Sequence, residues 1–281
     1  MNTTKWLGVA AAVVVVCLLA FWLTRPKNST PTDQTQTSQQ PAQTPTPTPT
    51  PTPPNGTVKL SSKTALGNFL VDSNGMTLYY FANDKINTSN CAAGPCLDFW
   101  PIYSQSNIAA QPPLLQTDFA QITRSDGVKQ TTYKGWPVYY FIKDKQPGDT
   151  LGIGVMNTWY LFPDPFYTVM VENQDSVGGN YLIDPKGMTL YSFANDKQGS
   201  ATTSPVSNCT GKCVTTWPVF STSSVIAPSL LKNSDFSTFK RSDGANQLAY
   251  KGWPLYYYSS DTKSGDVMGQ NFNKLWFVVK P

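Results

Sequence analysis

The chain has 281 residues, enough for about two domains on the usual length prior, and 14% of them are charged while 13% are aromatic. It contains no His, which removes the usual general base and the commonest metal ligand and so excludes Ser-His-Asp, Cys-His and His-metal chemistry. The net charge of +4 comes without any Lys/Arg run longer than two residues, so a nucleic-acid partner finds no electrostatic footprint.

After residues 1–5, Trp6 to Leu23 form an uncharged apolar stretch of 18 residues. As a helix it spans roughly 27 Å, just enough for a bilayer core. No small-x-small pair follows it, so residues 6–23 read as an uncleaved transmembrane anchor with residues 1–5 as its cytoplasmic end. Cys17 is preceded by Val16 where a lipid-attachment site requires a small residue, and reads as an apolar member of the span. Residues 24–57, which include TPTPTPTPTPP, are mostly Thr, Pro, Gln and Ser. That composition cannot bury a core and predicts an extended, disordered stalk.

The remainder is an internal duplication with predicted boundaries 58–171 and 172–281. LGNFLVDSNGMTLYYFANDK from Leu66 is answered 112 residues on by GGNYLIDPKGMTLYSFANDK from Gly178. Past a longer loop in the second copy the spacing becomes 117, matching Trp100 with Trp217, Trp136 with Trp253 and Trp159 with Trp276. Turn signals at Asp72-Ser73-Asn74-Gly75, Asp126-Gly127 and their counterparts separate short candidate strands. In the first copy these are 68–71, 76–81, 129–133, 138–142 and 158–162, with short helical turns at 97–100 and 118–122. The fold class is all-β, as two tandem antiparallel domains; a four-bladed ring is the alternative, because each copy divides into two half-repeats.

Each copy carries one Cys pair, Cys91 with Cys96 and Cys209 with Cys213, and pairing within the copy is the simplest connectivity. Disulfides need an oxidising compartment, which places the C-terminal domains outside the cell. A redox pair and a four-thiolate zinc site are the sharper alternatives; the gaps differ from CxxC and from each other.

A motif of Tyr, any residue, aromatic, two residues and Asp is written four times: Tyr79/Phe81/Asp84, Tyr139/Phe141/Asp144, Tyr191/Phe193/Asp196 and Tyr256/Tyr258/Asp261. Along a straight strand the Tyr and Asp of one motif lie about 16 Å apart, so each Asp is expected to accept backbone N–H groups in the turn that ends its strand. Ca²⁺ ligation is the alternative, though no EF-hand spacing is present. Trp-Pro pairs at Trp100, Trp136, Trp217 and Trp253 favour extended backbone, and these rings are core cover or a stacking surface for a glycan or cell-wall polymer.

The four motifs, the Cys loops ending in Trp-Pro, the KGWP segments and the turns at Pro147-Gly148-Asp149 and Ser264-Gly265-Asp266 resemble the secreted repeat family of bacterial and archaeal predicted lipoproteins. The resemblance spans about residues 60–281 and implies an extracellular repeat protein of no established function. The chain differs from many members in carrying an anchor and a Thr/Pro stalk where a lipid-attachment motif would stand. The expectation is a single-pass, cell-surface protein with a non-catalytic binding or structural head, no cofactor and no metal. A redox or electron-transfer accessory is a further alternative.

Overall fold

The computed structural model describes residues 56–91 and 94–281. The predicted anchor over 6–23, Cys17, the cytoplasmic end and nearly all of the predicted stalk lie outside them. Among the described residues no helix is long and apolar enough to cross a membrane. The described chain is mostly short strands in several small sheets, with brief helices at Pro95–Phe99 and Lys212–Thr216.

Each copy opens on an antiparallel hairpin. Thr57–Lys63 pairs with Gly67–Asp72 in the first and Met170–Gln174 with Gly179–Ile183 in the second. The turn that follows is built by an Asp side chain: Asp72 Oδ1 accepts the N–H groups of Asn74 and Met76, each at 2.9 Å. Asp184 Oδ1 does the same for Lys186 and Met188 at 2.8 and 2.9 Å. Gly75 and Gly187 close these turns at φ +83° and +78°, where an L side chain is strained.

The first Tyr strand of each copy then pairs antiparallel with a strand near the copy's end, Tyr79–Phe81 with Trp159–Leu161 and Tyr191–Phe193 with Trp276–Val278. Between them lies a three-stranded meander: Phe119–Thr123, Lys129–Tyr133 and Trp136–Pro137 in the first copy, and Phe236–Lys240, Asn246–Tyr250 and Trp253–Pro254 in the second.

Two local expectations are corrected. Residues 118–122 are not a helical turn; Phe119–Thr123 is a strand after a short 3-10 turn at Gln116–Asp118, because Phe119 packs across the ladder against Tyr133, ring centroids 4.8 Å apart and planes tilted by 36°. Residues 138–142 form no continuous strand. Tyr139 exchanges backbone hydrogen bonds with Tyr79 while the Tyr140 N–H turns to the Pro101 carbonyl, so no single neighbour runs alongside.

All described residues belong to one compact unit. Its main hydrophobic cluster joins Tyr80, Trp136, Phe162 and Tyr167 of the first copy to Tyr181, Tyr191, Trp217, Tyr256 and Trp276 of the second. Burying rings of this size contributes about 2 to 3 kcal/mol each. Polar links cross the same boundary: Trp136 Nε1 donates to the Pro185 carbonyl at 3.1 Å, and the Asn173 N–H to the Ala82 carbonyl at 2.8 Å. A second cluster, with Phe69, Tyr79, Trp100, Tyr139, Phe141 and Trp159, lies wholly in the first copy.

Candidate functional site

The four motifs meet in reciprocal pairs. Within the first copy Tyr79 donates to Asp144 Oδ2 at 2.7 Å and Tyr139 to Asp84 Oδ2 at 2.7 Å. Within the second, Tyr191 donates to Asp261 Oδ2 at 2.6 Å and Tyr256 to Asp196 Oδ2 at 2.7 Å. Each Tyr thus reaches the Asp of its sister motif, not its own. The other oxygen of each Asp accepts a backbone N–H in its turn, from Asn90, Leu151, Asn208 and Met268 respectively for Asp84, Asp144, Asp196 and Asp261.

Close approach makes this geometry possible. The Gly152 N–H donates to the Tyr79 hydroxyl at 3.3 Å, and a Cβ at Gly152 would stand 2.8 Å from both Trp100 and Tyr79. Gly269 repeats the arrangement against Tyr191 and Trp217.

A buried guanidinium anchors the far side of one pair in each copy. Arg124 Nη1 donates to Gln130 Oε1 at 2.7 Å and to Ser89 Oγ at 2.5 Å, and Nη2 to the Cys91 carbonyl at 2.6 Å. Ser89 is in turn hydrogen-bonded to the Tyr139 hydroxyl. Arg241, Gln247, Ser207, the Cys209 carbonyl and Tyr256 reproduce this chain in the second copy. Neither Arg nor Ser is singled out by the sequence, although each Arg stands two residues before one of the repeated Asp-Gly turns.

Burial pushes Asp84 up to about 7, against the pull of the Asn90 N–H, the Tyr139 hydroxyl and Arg124. It pushes Asp261 up to about 6 and raises Asp144 and Asp196 above the usual carboxylate range. The same desolvation, together with the neighbouring carboxylates, holds the Tyr hydroxyls protonated, so they act as donors. With both oxygens of every Asp engaged, the tetrad is a set of cross-braces. Among the described residues no cluster of three or more His, Cys, Asp or Glu could hold a metal.

The cysteines pair within copies as disulfides, Cys91–Cys96 and Cys209–Cys213. Each lies beside a column of four stacked rings. In the first copy Phe81 stacks on Trp159 at 4.2 Å, Trp159 on Trp100 at 3.7 Å with planes 1° apart, and Trp100 on Phe141 at 4.2 Å. Phe193, Trp276, Trp217 and Tyr258 repeat the column at 4.3, 3.7 and 4.3 Å.

Of the two readings of the Trp-Pro rings, burial fits core cover at three of the four. Trp100, Trp136 and Trp217 are 4, 0 and 3% exposed, and Trp253 is half-buried. Trp100 and Trp217 spend their faces inside the columns, while Trp136 joins the core shared by the copies. Trp159 and Trp276, missed as site residues, are the central partners. Tyr140 is half-buried and donates to Asp72 Oδ2 at 2.9 Å, as Tyr257 does to Asp184 at 3.0 Å. The first column opens on a cleft of about 710 Å³ whose wall includes Phe81, Phe99, Trp100, Lys143, Val155 and Met156.

No curated protein and no solved structure matches the chain. A family described as a secreted repeat of unknown function matches residues 61–103, 120–162, 175–221 and 237–280, and each match contains one of the four Tyr–Asp motifs. With four repeats between residues 61 and 280, the chain belongs to that secreted repeat family.

Proposed function

We propose that the chain is a single-pass, membrane-anchored protein of the cell surface, whose two duplicated β copies form an extracellular, non-catalytic binding head. The observation that carries this reading is the division of labour in the head: its acidic side chains of raised pKa are tied into internal braces, while its large cleft is walled mainly by apolar groups. Such a cleft is suited to holding a ligand and lacks groups placed to transform one. The disulfides and the family's secreted character support an extracellular head, and the apolar stretch at 6–23 followed by the Thr/Pro segment supports an anchor and stalk.

Protease treatment of intact cells tests the topology. Release of a head fragment with both disulfides intact is the expected result. A protected head with reduced cysteines overturns the reading.

One observation favours a redox accessory as the second reading: Cys96 and the stacked Trp100 and Trp159 line the same cleft. A disulfide reduction potential below roughly −300 mV, the range of inert structural bridges, removes the thiol version.

A further inference from the structure

The two ring columns superpose in sequence, but the residues around their mouths do not. Val155, Met156, Phe99 and Lys143 of the first copy stand where the second has Phe272, Asn273, Thr216 and Ser260. Phe272 lies against its own column, 5.6 Å from Trp217 and 5.5 Å from Tyr258 between ring centroids. Val155 is too small to do the same, and the first column adjoins a cleft of about 710 Å³. That volume lies within the range of small-molecule sites.

The chemistry of the wall limits the occupant. Trp100 and Trp159 each have a stacked neighbour on both faces, so they turn ring edges to the cleft. Edges carry the positive end of the ring quadrupole and pack against the face of a flat π system, whereas a sugar platform needs an open ring face. Phe99 and Met156, 50 and 84% exposed, add an apolar rim. Among the described residues Lys143 is the one charged residue on the wall, and it forms no ion pair with any of them. Its ammonium is free for an anion.

Resting on the reading of the head as a binding module, we infer that the first copy's cleft binds a flat, apolar molecule bearing one anionic group, and that Phe272 fills the corresponding place in the second copy. Titration calorimetry on the full chain in lipid nanodiscs, with empty nanodiscs subtracted, tests it using 2-naphthoate and its uncharged analogue 2-naphthamide. Both probes bind the wild-type chain. Val155→Phe, which imports the second copy's ring, weakens both by about tenfold or more, the loss of one well-filled apolar contact. Met156→Asn, suited to the left-handed backbone there (φ 53°), weakens both by a smaller factor. Lys143→Ser weakens naphthoate by about threefold, the worth of an exposed ion pair, and leaves naphthamide unchanged.

Near-ultraviolet circular dichroism matching the wild type shows that the ring column is intact in each variant. Failure of the wild-type chain to bind either probe overturns the inference. Equal affinities in wild type and Val155→Phe also overturn it, by placing the site elsewhere on the head, and leave the binding-module reading standing. A head shielded from protease on intact cells, with its cysteines reduced, overturns the cell-surface topology of the proposed function, whatever the cleft binds.

Discussion

The two copies agree where the chain is braced and differ where it is open. Tyr–Asp bonds, the Arg–Ser–Tyr chain, the disulfide and the ring column recur at matched positions, with the Tyr–Asp bonds all between 2.6 and 2.7 Å. Around the column mouth an open rim of Val155, Met156 and Phe99 faces a closed one built on Phe272. A second difference lies in the opening hairpins. In the first copy Ser61 pairs with Phe69; at the same register of the second, Glu172 pairs with Tyr181, whose hydroxyl donates to Glu172 Oε1 at 2.7 Å. The shared elements make the fold, and the differences are where a particular role can reside.

The largest effect is expected at the guanidinium. Arg124→Met strands Gln130, Ser89 and the Cys91 carbonyl inside the protein and should cost about 3 kcal/mol or more in urea denaturation. Arg241→Met should cost the same within about 1 kcal/mol. A large difference between the two variants would break the equivalence of the braces.

Next comes pH. Burial pushes Glu172 from 4.5 up to about 7 against its bond from Tyr181 and the charge of Lys85, and Asp84 from 3.8 up to about 7. A carboxyl raised on folding contributes stability in full below its unfolded pKa and loses it as pH rises through the folded one. The head should therefore lose stability between about pH 4 and 7 through these two groups. Asp126, Asp149, Asp243 and Asp266, held below the usual range, act oppositely, and their contribution fades only as pH falls below about 4. Glu172→Gln should raise the free energy of unfolding at pH 8 by up to about 3 kcal/mol, at about 1.4 kcal/mol per pH unit, and converge with wild type below pH 4.5. An unchanged pH profile would remove Glu172 as a source of asymmetry.

The disulfides come third: replacing Cys91 and Cys96 by Ala should cost about 2 kcal/mol, and replacing Cys209 and Cys213 nearly the same, since the loops are so similar in length. The smallest effect belongs to Phe272→Val, whose ring is 37% exposed. It should cost about 1 kcal/mol and create binding of 2-naphthamide at the second column; no new binding would mean that the ring is not what closes the mouth.

Much of this was legible in the residues. The duplication, the hairpin turns at Asp72–Gly75 and Asp184–Gly187, the meander strand at 129–133 and the Cys pairs all follow from local composition and spacing. The Tyr–Asp bonds did not, because each joins residues between 55 and 70 positions apart, while the motif advertises a partner only five positions away. The Trp-Pro pairs indicate extended backbone but not which side of it faces water. That is why Trp136 reads as core cover with a platform left open as the alternative, and why the ring column, which brings Trp100 against Trp159, is invisible along the chain.

The cluster that runs from Tyr80 and Trp136 into Tyr181 and Tyr256 separates the unit of inheritance from the unit of stability. Duplication copied one span of sequence, yet either span expressed alone would present to water the rings it now hides in its twin. The doubled span makes a single folding object, in which one half's mouth stands open and the other's is covered by Phe272.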